Sequence, residues 1–135
     1  MSYPKYLLCV EDDDDVREIC QLSLRASDRE LVVTACADGL QALAAVAEQH
    51  PDVILLDVMM PLLDGPATLA RLQADAHTAQ IPVIFLTAKA TADEMRRLTR
   101  LGAIDVMFKP FDPRTLLTRV RESLQKAGKS EPATA

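Results

Sequence analysis

No tryptophan occurs in the 135 residues, and tyrosine and phenylalanine bring the aromatic share to only 4%. Platforms for stacking bases or holding a flavin ring would have little to draw on. Positive charge is also short, with 15 lysines and arginines against 20 acids and a net charge of −5. That balance disfavours non-specific nucleic-acid binding by this segment, which needs cationic side chains to neutralise phosphates. No apolar run approaches the length of a membrane span, and the N-terminus has no signal-like stretch. The three cysteines, Cys9, Cys20 and Cys36, show no CxxC or metal-type spacing, and their number is odd. Cys9 in an apolar strand and Cys20 on the apolar side of a helix are read as small core residues. His50 and His77 fall near expected loops without partners and are read as surface residues. The hydrophobic share of 49% is enough for one folded domain. The expectation is a cytoplasmic protein with no membrane contact.

What the chain does have is five short apolar runs, four of which end on a functional polar residue. Tyr6 to Val10 runs into Glu11 and Asp12, and Val53 to Leu56 runs into Asp57. Val83 to Leu86 runs into Thr87, and Val106 to Phe108 runs into Lys109 and Pro110; Leu31 to Ala35 ends without one. Near-continuous apolar strands are those buried on both faces, as in a parallel sheet flanked by helices. Between them lie segments of helical period. One stripe holds Val16, Ile19, Cys20 and Ser23; a second, after Asp38-Gly39, holds Leu40, Leu43, Ala44 and Ala47. Asp64-Gly65-Pro66 opens a third with Leu69 and Leu72, and Met95, Leu98 and Leu101-Gly102 mark a fourth and its stop. Leu117, Val120 and Leu124 make the fifth, with Asp112-Pro113 expected as its cap and first turn. Strict alternation of five strands and five helices predicts a doubly wound, three-layer α/β domain. Alternation alone leaves strand order open. Residues 1–127 are expected to form the domain, and residues 128–135 a flexible tail or the start of a linker.

In such sheets the ligand crevice lies beyond the carboxyl ends of the strands. Taken alone, the acids from Glu11 to Asp15 make a solvated turn, with Asp14 or Asp15 expected as the helix cap. Thr87 alone is a strand-end hydroxyl, and Lys109 alone a surface lysine. Their common location says more. If the first and third strands are neighbours, Glu11, Asp12 and Asp57 converge, and two like charges about 4 Å apart repel by roughly 4 kcal/mol at a dielectric of 20. Such a cluster persists when a cation neutralises it or when one carboxyl keeps its proton. Carboxylates with water suit Mg²⁺, and Thr87 with Lys109 could contact a phosphoryl group beside it. Pro110 at a strand end can hold a cis bond that fixes the direction of Lys109.

These residues, in this order, resemble the receiver domain of two-component response regulators over roughly residues 5–126. The matching stretches are Leu7 to Asp13, Val53 to Gly65, Ile81 to Ala88 and Lys109 to Asp112. The resemblance implies a flavodoxin-like five-stranded parallel sheet of order 2-1-3-4-5. It implies that Asp57 is the phosphoacceptor for a phosphohistidine on a sensor histidine kinase or histidine phosphotransfer protein. Asp12 is then a Mg²⁺ ligand, Glu11 holds the metal's water, and Met59 offers its backbone carbonyl. Thr87 and Lys109 bind the phosphoryl oxygens, and the modified state shifts an equilibrium felt by a downstream protein target. A monomer or weak dimer is expected, acting as a phosphoacceptor and not as an enzyme.

Three departures from that pattern stand out. Val106 stands where a rotating Tyr or Phe switch is usual, and Phe108 is expected to point to the opposite face. Met59 and Lys89 flank the path of a hydrolytic water, and Met59 offers it no strong hydrogen bond, which predicts slow self-dephosphorylation. Arg96, Arg97 and Arg100 make a basic stretch on the fourth helix. Competing classes fit less well. A phosphohydrolase with an Asp nucleophile would want a second acid at Met59, and a flavodoxin-like redox module would want aromatic stackers. A binding module that has lost phosphorylation would not keep the whole set. The alternative reading is a receiver module of a longer regulator, with a DNA-binding or enzymatic output domain outside this chain.

Overall fold

A computed structural model describes residues 3–129. Of the tail expected over residues 128–135, residues 130–135 lie outside that part. Five parallel strands, β1 (Tyr6–Val10), β2 (Val32–Cys36), β3 (Val53–Asp57), β4 (Val83–Thr87) and β5 (Asp105–Phe108), form one sheet. Its order is β2-β1-β3-β4-β5, as the resemblance implied. The helices α1 (Asp14–Ser27), α2 (Gly39–Glu48), α3 (Gly65–Ala74), α4 (Ala92–Arg100) and α5 (Leu116–Lys126) connect and cover it.

Alternation along each strand divides the core into two layers. Leu7, Cys9, Leu55, Leu86 and Met107 face α1 and α5, where they meet Cys20, Leu24, Leu117 and Val120. Leu8, Val10, Leu56, Phe85 and Val106 face the other helices, where they meet Val46, Leu69 and Leu98. Every residue of β1, β3 and β4 is buried, which is why those runs are apolar without alternation. β2 is an edge strand, and its Val32 is exposed. All three cysteines are buried thiols, with Cys9 Sγ 3.1 Å from Cys20 Sγ across the β1–α1 contact.

Several local expectations need correction. The cap of α1 is Asp13, whose carboxylate accepts from the Asp15 and Val16 amides; Asp14 and Asp15 occupy the first helical turn. A cap needs extended backbone, and the turn out of β1 reaches it one residue earlier. Leu24 joins Cys20 on the buried face of α1, and Ile19 stays exposed. In α2 the buried residues are Gly39, Ala42 and Val46, while Leu40 faces solvent. That helix is apolar nearly all round, so period alone does not set its phase. α5 starts at Leu116, after a turn in which Asp112 accepts from the Arg114 amide, and its cap position is Thr115. Phe108 shares a face with Val106, two residues apart on one strand, and is half-buried. His77 is exposed but not alone, since its Nδ1 lies 3.1 Å from Asp75. His50 is exposed as expected.

Gly65 sets how closely α3 approaches β3. A Cβ there would lie 2.4 Å from the Asp57 carbonyl oxygen and 3.0 Å from Phe85 Cε1. Gly65→Ala is therefore expected to cost about 1–3 kcal/mol in urea unfolding, the usual range for overpacking. A loss well under 1 kcal/mol would show that α3 slides away to make room.

Candidate functional site

Just past the ladder the end of β1 is fastened to β2, and the ends of β3 and β5 are fastened to β4. The Glu11 amide donates to the Cys36 carbonyl at 3.0 Å, and the Val58 amide to Leu86 at 3.0 Å. The Lys109 amide donates to the Thr87 carbonyl at 2.8 Å. Parallel strands bonded in register thus bring their terminal polar residues to one edge of the sheet.

Glu11, Asp12 and Asp57 each bring a carboxylate oxygen within 4.8 Å of the other two. Glu11 and Asp57 are buried and Asp12 is exposed, so the cluster opens to solvent on the Asp12 side. Lys109 is not a free surface lysine. Its Nζ lies 2.7 Å from Glu11 Oε1 and 3.1 Å from Asp57 Oδ1, with only 20% of the side chain exposed. The other oxygen of Glu11 accepts from the Asp13 amide at 3.1 Å. The Lys109–Pro110 bond is cis.

Burial pushes the Asp57 carboxyl up to about 7, reinforced by a hydrogen bond and negative charge from Glu11 and opposed by Lys109. Burial alone would lower the Lys109 pKa, but Glu11 and Asp57 outweigh it and raise it. The cluster is thus held by both remedies for like charge, a nearby cation and a retained proton. The donor set is three carboxylates, hard oxygens that suit a small hard divalent ion.

Thr87 is buried at the end of β4, and its Oγ1 accepts from the Lys89 amide at 3.1 Å. Met59 is exposed, and no described residue donates to its carbonyl. Val106 does not join the cluster. It pairs with Phe85 in the sheet and is buried beside Leu98 and Ala103. Arg96 and Arg97 are each paired within α4, with Asp93 and Glu94, and Arg100 is exposed.

Two features escaped the sequence. A cavity of about 380 Å³, with nearly all-apolar walls, opens beside Lys109 between Val16, Ile19, Ala88, Pro110, Phe111 and Pro113. Its wall residues are scattered over two loops and a helix, so no local pattern marks it. Arg17 lies against the turn that carries Glu11 and Asp12, donating to the Glu11 carbonyl at 2.9 Å. Its signal was there, an arginine closely following an acidic run, but such arginines usually serve only as helix ion pairs.

Fold and donor set define a doubly wound α/β protein with an acidic, lysine-tethered site at the switch point of its sheet. The chain belongs to the response regulator receiver domain family, which it matches over residues 7–121. It is 39% identical over 128 residues to the transcriptional regulatory protein CseB of Streptomyces avermitilis, covering 95% of this chain and 52% of that one. It is 36% identical over 124 residues to the phosphate regulon transcriptional regulatory protein PhoB of Pseudomonas aeruginosa, covering 92% and 53%. The chain thus spans about half the length of these curated relatives. Among solved structures, the Vibrio cholerae chemotaxis protein CheY4 superposes with a TM-score of 0.81 at 28% identity, covering 88% of this chain and 98% of that one. No helix among the described residues is long and apolar enough to cross a membrane.

The Asp57 shift has a consequence for stability. Its folded value, about 7, lies above the ordinary 3.8, so folding favours the protonated form. Its contribution is greatest below the ordinary value and is lost as pH rises from about 4 through 7. Without divalent metal, Asp57→Asn is expected to raise the melting temperature at pH 8 more than at pH 4.5. Equal shifts at both pH values would show that Asp57 is ionised throughout.

Proposed function

We propose that residues 1–127 act as a phosphoacceptor, taking a phosphoryl group onto Asp57 from a sensor histidine kinase or histidine phosphotransfer protein. The observation that carries this reading is one buried carboxylate, Asp57, sharing its site with two further acids and a lysine ammonium. An Asp57 oxygen attacks phosphorus while the bond to the donor imidazole nitrogen breaks. That nitrogen leaves with the bonding pair, and the proton carried by the other ring nitrogen makes the departing imidazole neutral. Lys109 can follow the charge from Asp57 to the phosphoryl oxygens, because its reach already spans Glu11 and Asp57. Thr87 offers its hydroxyl from the next strand end.

The donor set fits Mg²⁺, with Asp12, Asp57 and the free Met59 carbonyl as ligands and Glu11 holding coordinated water. Bound there, the ion would offset charge on the phosphoryl oxygens. The apolar cavity beside Lys109 supports a protein donor, since a helix carrying the phosphohistidine could seat apolar side chains there. The chain then acts in the cytoplasm through protein contacts with a downstream target, as a monomer or weak dimer, and by itself binds no nucleic acid. It is an acceptor, not an enzyme with turnover, and self-dephosphorylation is slow because Met59 gives a hydrolytic water no partner. The usual aromatic switch is missing at Val106, so the signal leaves through Thr87 and the β4–α4 turn.

A second reading concerns what lies outside the chain. Half-length coverage of CseB and PhoB supports a receiver joined to a DNA-binding or enzymatic output domain.

Incubation with Mg²⁺ and a small acyl phosphate should add one phosphoryl group by intact mass, and Asp57→Asn should abolish it. No labelling where Mg²⁺ binds would refute the reading. Once formed, the phosphoprotein should persist well beyond seconds in Mg²⁺; a half-life of seconds would refute the role given to Met59.

A further inference from the structure

We propose that Arg17 is a positioning residue that holds the turn between β1 and α1 so that Glu11 and Asp12 face Asp57. This rests on reading the acid cluster as a Mg²⁺ site. The β1 ladder ends at Val10 and α1 begins at Asp14, so Glu11, Asp12 and Asp13 belong to neither element. Few contacts fix this bridge. The Glu11 amide is held by Cys36 and the Asp13 amide by the Glu11 carboxylate. The carbonyl side is held by Arg17, whose Nη1 donates to Glu11 at 2.9 Å and, more weakly, to Asp12 at 3.5 Å. Its Nη2 pairs with Asp14, and only 22% of the side chain is exposed.

A guanidinium suits this task because its donors diverge from one rigid plane. One face of the fork takes carbonyls of the turn and the other takes a carboxylate of the first helical turn. The helix that Asp13 caps is thereby tied back to the residues that precede it. A lysine in that place would keep the charge and the stem but could not serve both partners in fixed geometry.

Charge and position predict opposite effects on cation binding. Arg17 is a positive charge close to a site for a positive ion, so by charge alone its removal tightens Mg²⁺ binding. If its main work is to orient the turn, removal loosens binding, as losing outer partners of metal ligands usually does. A purely structural role would lower the melting temperature of the metal-free protein and leave Mg²⁺ affinity as it was.

The test is a calorimetric Mg²⁺ titration of the full chain as wild type, Arg17→Gln and Arg17→Lys, at a temperature where all three are folded. Amide NMR shifts of Glu11, Asp12 and Asp13 report the same event locally. Both variants are expected to bind Mg²⁺ roughly ten-fold or more weakly, the usual range for outer-shell partners. Tighter or unchanged binding in Arg17→Gln overturns the proposal, as does wild-type affinity in Arg17→Lys. If Arg17→Gln does not fold, Arg17→Lys decides alone. Absence of Mg²⁺ binding in the wild type would instead refute the metal reading beneath it, so the two failures are distinguishable.

Discussion

Crowding of carboxylates at the ends of β1 and β3 is the constraint around which this molecule is arranged. Asp57 closes β3 and Glu11 follows directly on the adjacent β1; both are buried, with Asp12 at their side. A fold that only needed stability would not collect them there, because each burial of charge costs free energy and each pair repels. The surrounding structure offsets that cost in several places. Lys109 reaches from β5 to both buried acids, Asp57 keeps its proton readily, and the Asp13 amide donates to Glu11. Under the proposed function, the Lys109 contacts and the Asp57 proton are the compensations that give way to the incoming groups.

The same constraint explains the packing beneath. Strand ends can present acids to one point only if the ladder under them is rigid, and the central strands are buried on both faces to make it so. Bonds just past the ladder, from Val58 to Leu86 and from Lys109 to Thr87, carry that rigidity into the loops. Gly65 completes it by letting α3 press against the backbone of Asp57. The site is therefore as fixed as the core, except for the short bridge from Glu11 to Asp13.

Strand positions were readable in the residues as continuous apolar runs, whereas the convergence of Glu11, Asp12 and Asp57 also needed the strand order, which only the family resemblance implied. Helix phase was less so. α2 has apolar residues on all sides, and the acids after Glu11 are chemically equal candidates for a cap that backbone geometry assigned to Asp13. The partnership of Lys109 was invisible because it spans 98 residues. Arg17 shows only its pairing with Asp14 as a sequence pattern, because its contacts to the Glu11 and Asp12 carbonyls are ones that no sequence pattern displays.

The closeness of Cys9 and Cys20 also makes the protein a gauge of its own local opening. These thiols sit 3.1 Å apart between β1 and α1, and the hydrogen bond with Cys20, reinforced by burial, raises the pKa of the Cys9 thiol. A thiol reagent can reach them only when α1 lifts from the sheet, and that is the movement that would scatter Glu11 and Asp12. Labelling rates at Cys9 and Cys20, read apart from Cys36 in the opposite core layer, then report openings at the spot where the site meets the fold. Whatever fastens the acids from above slows the chemistry of the thiols below.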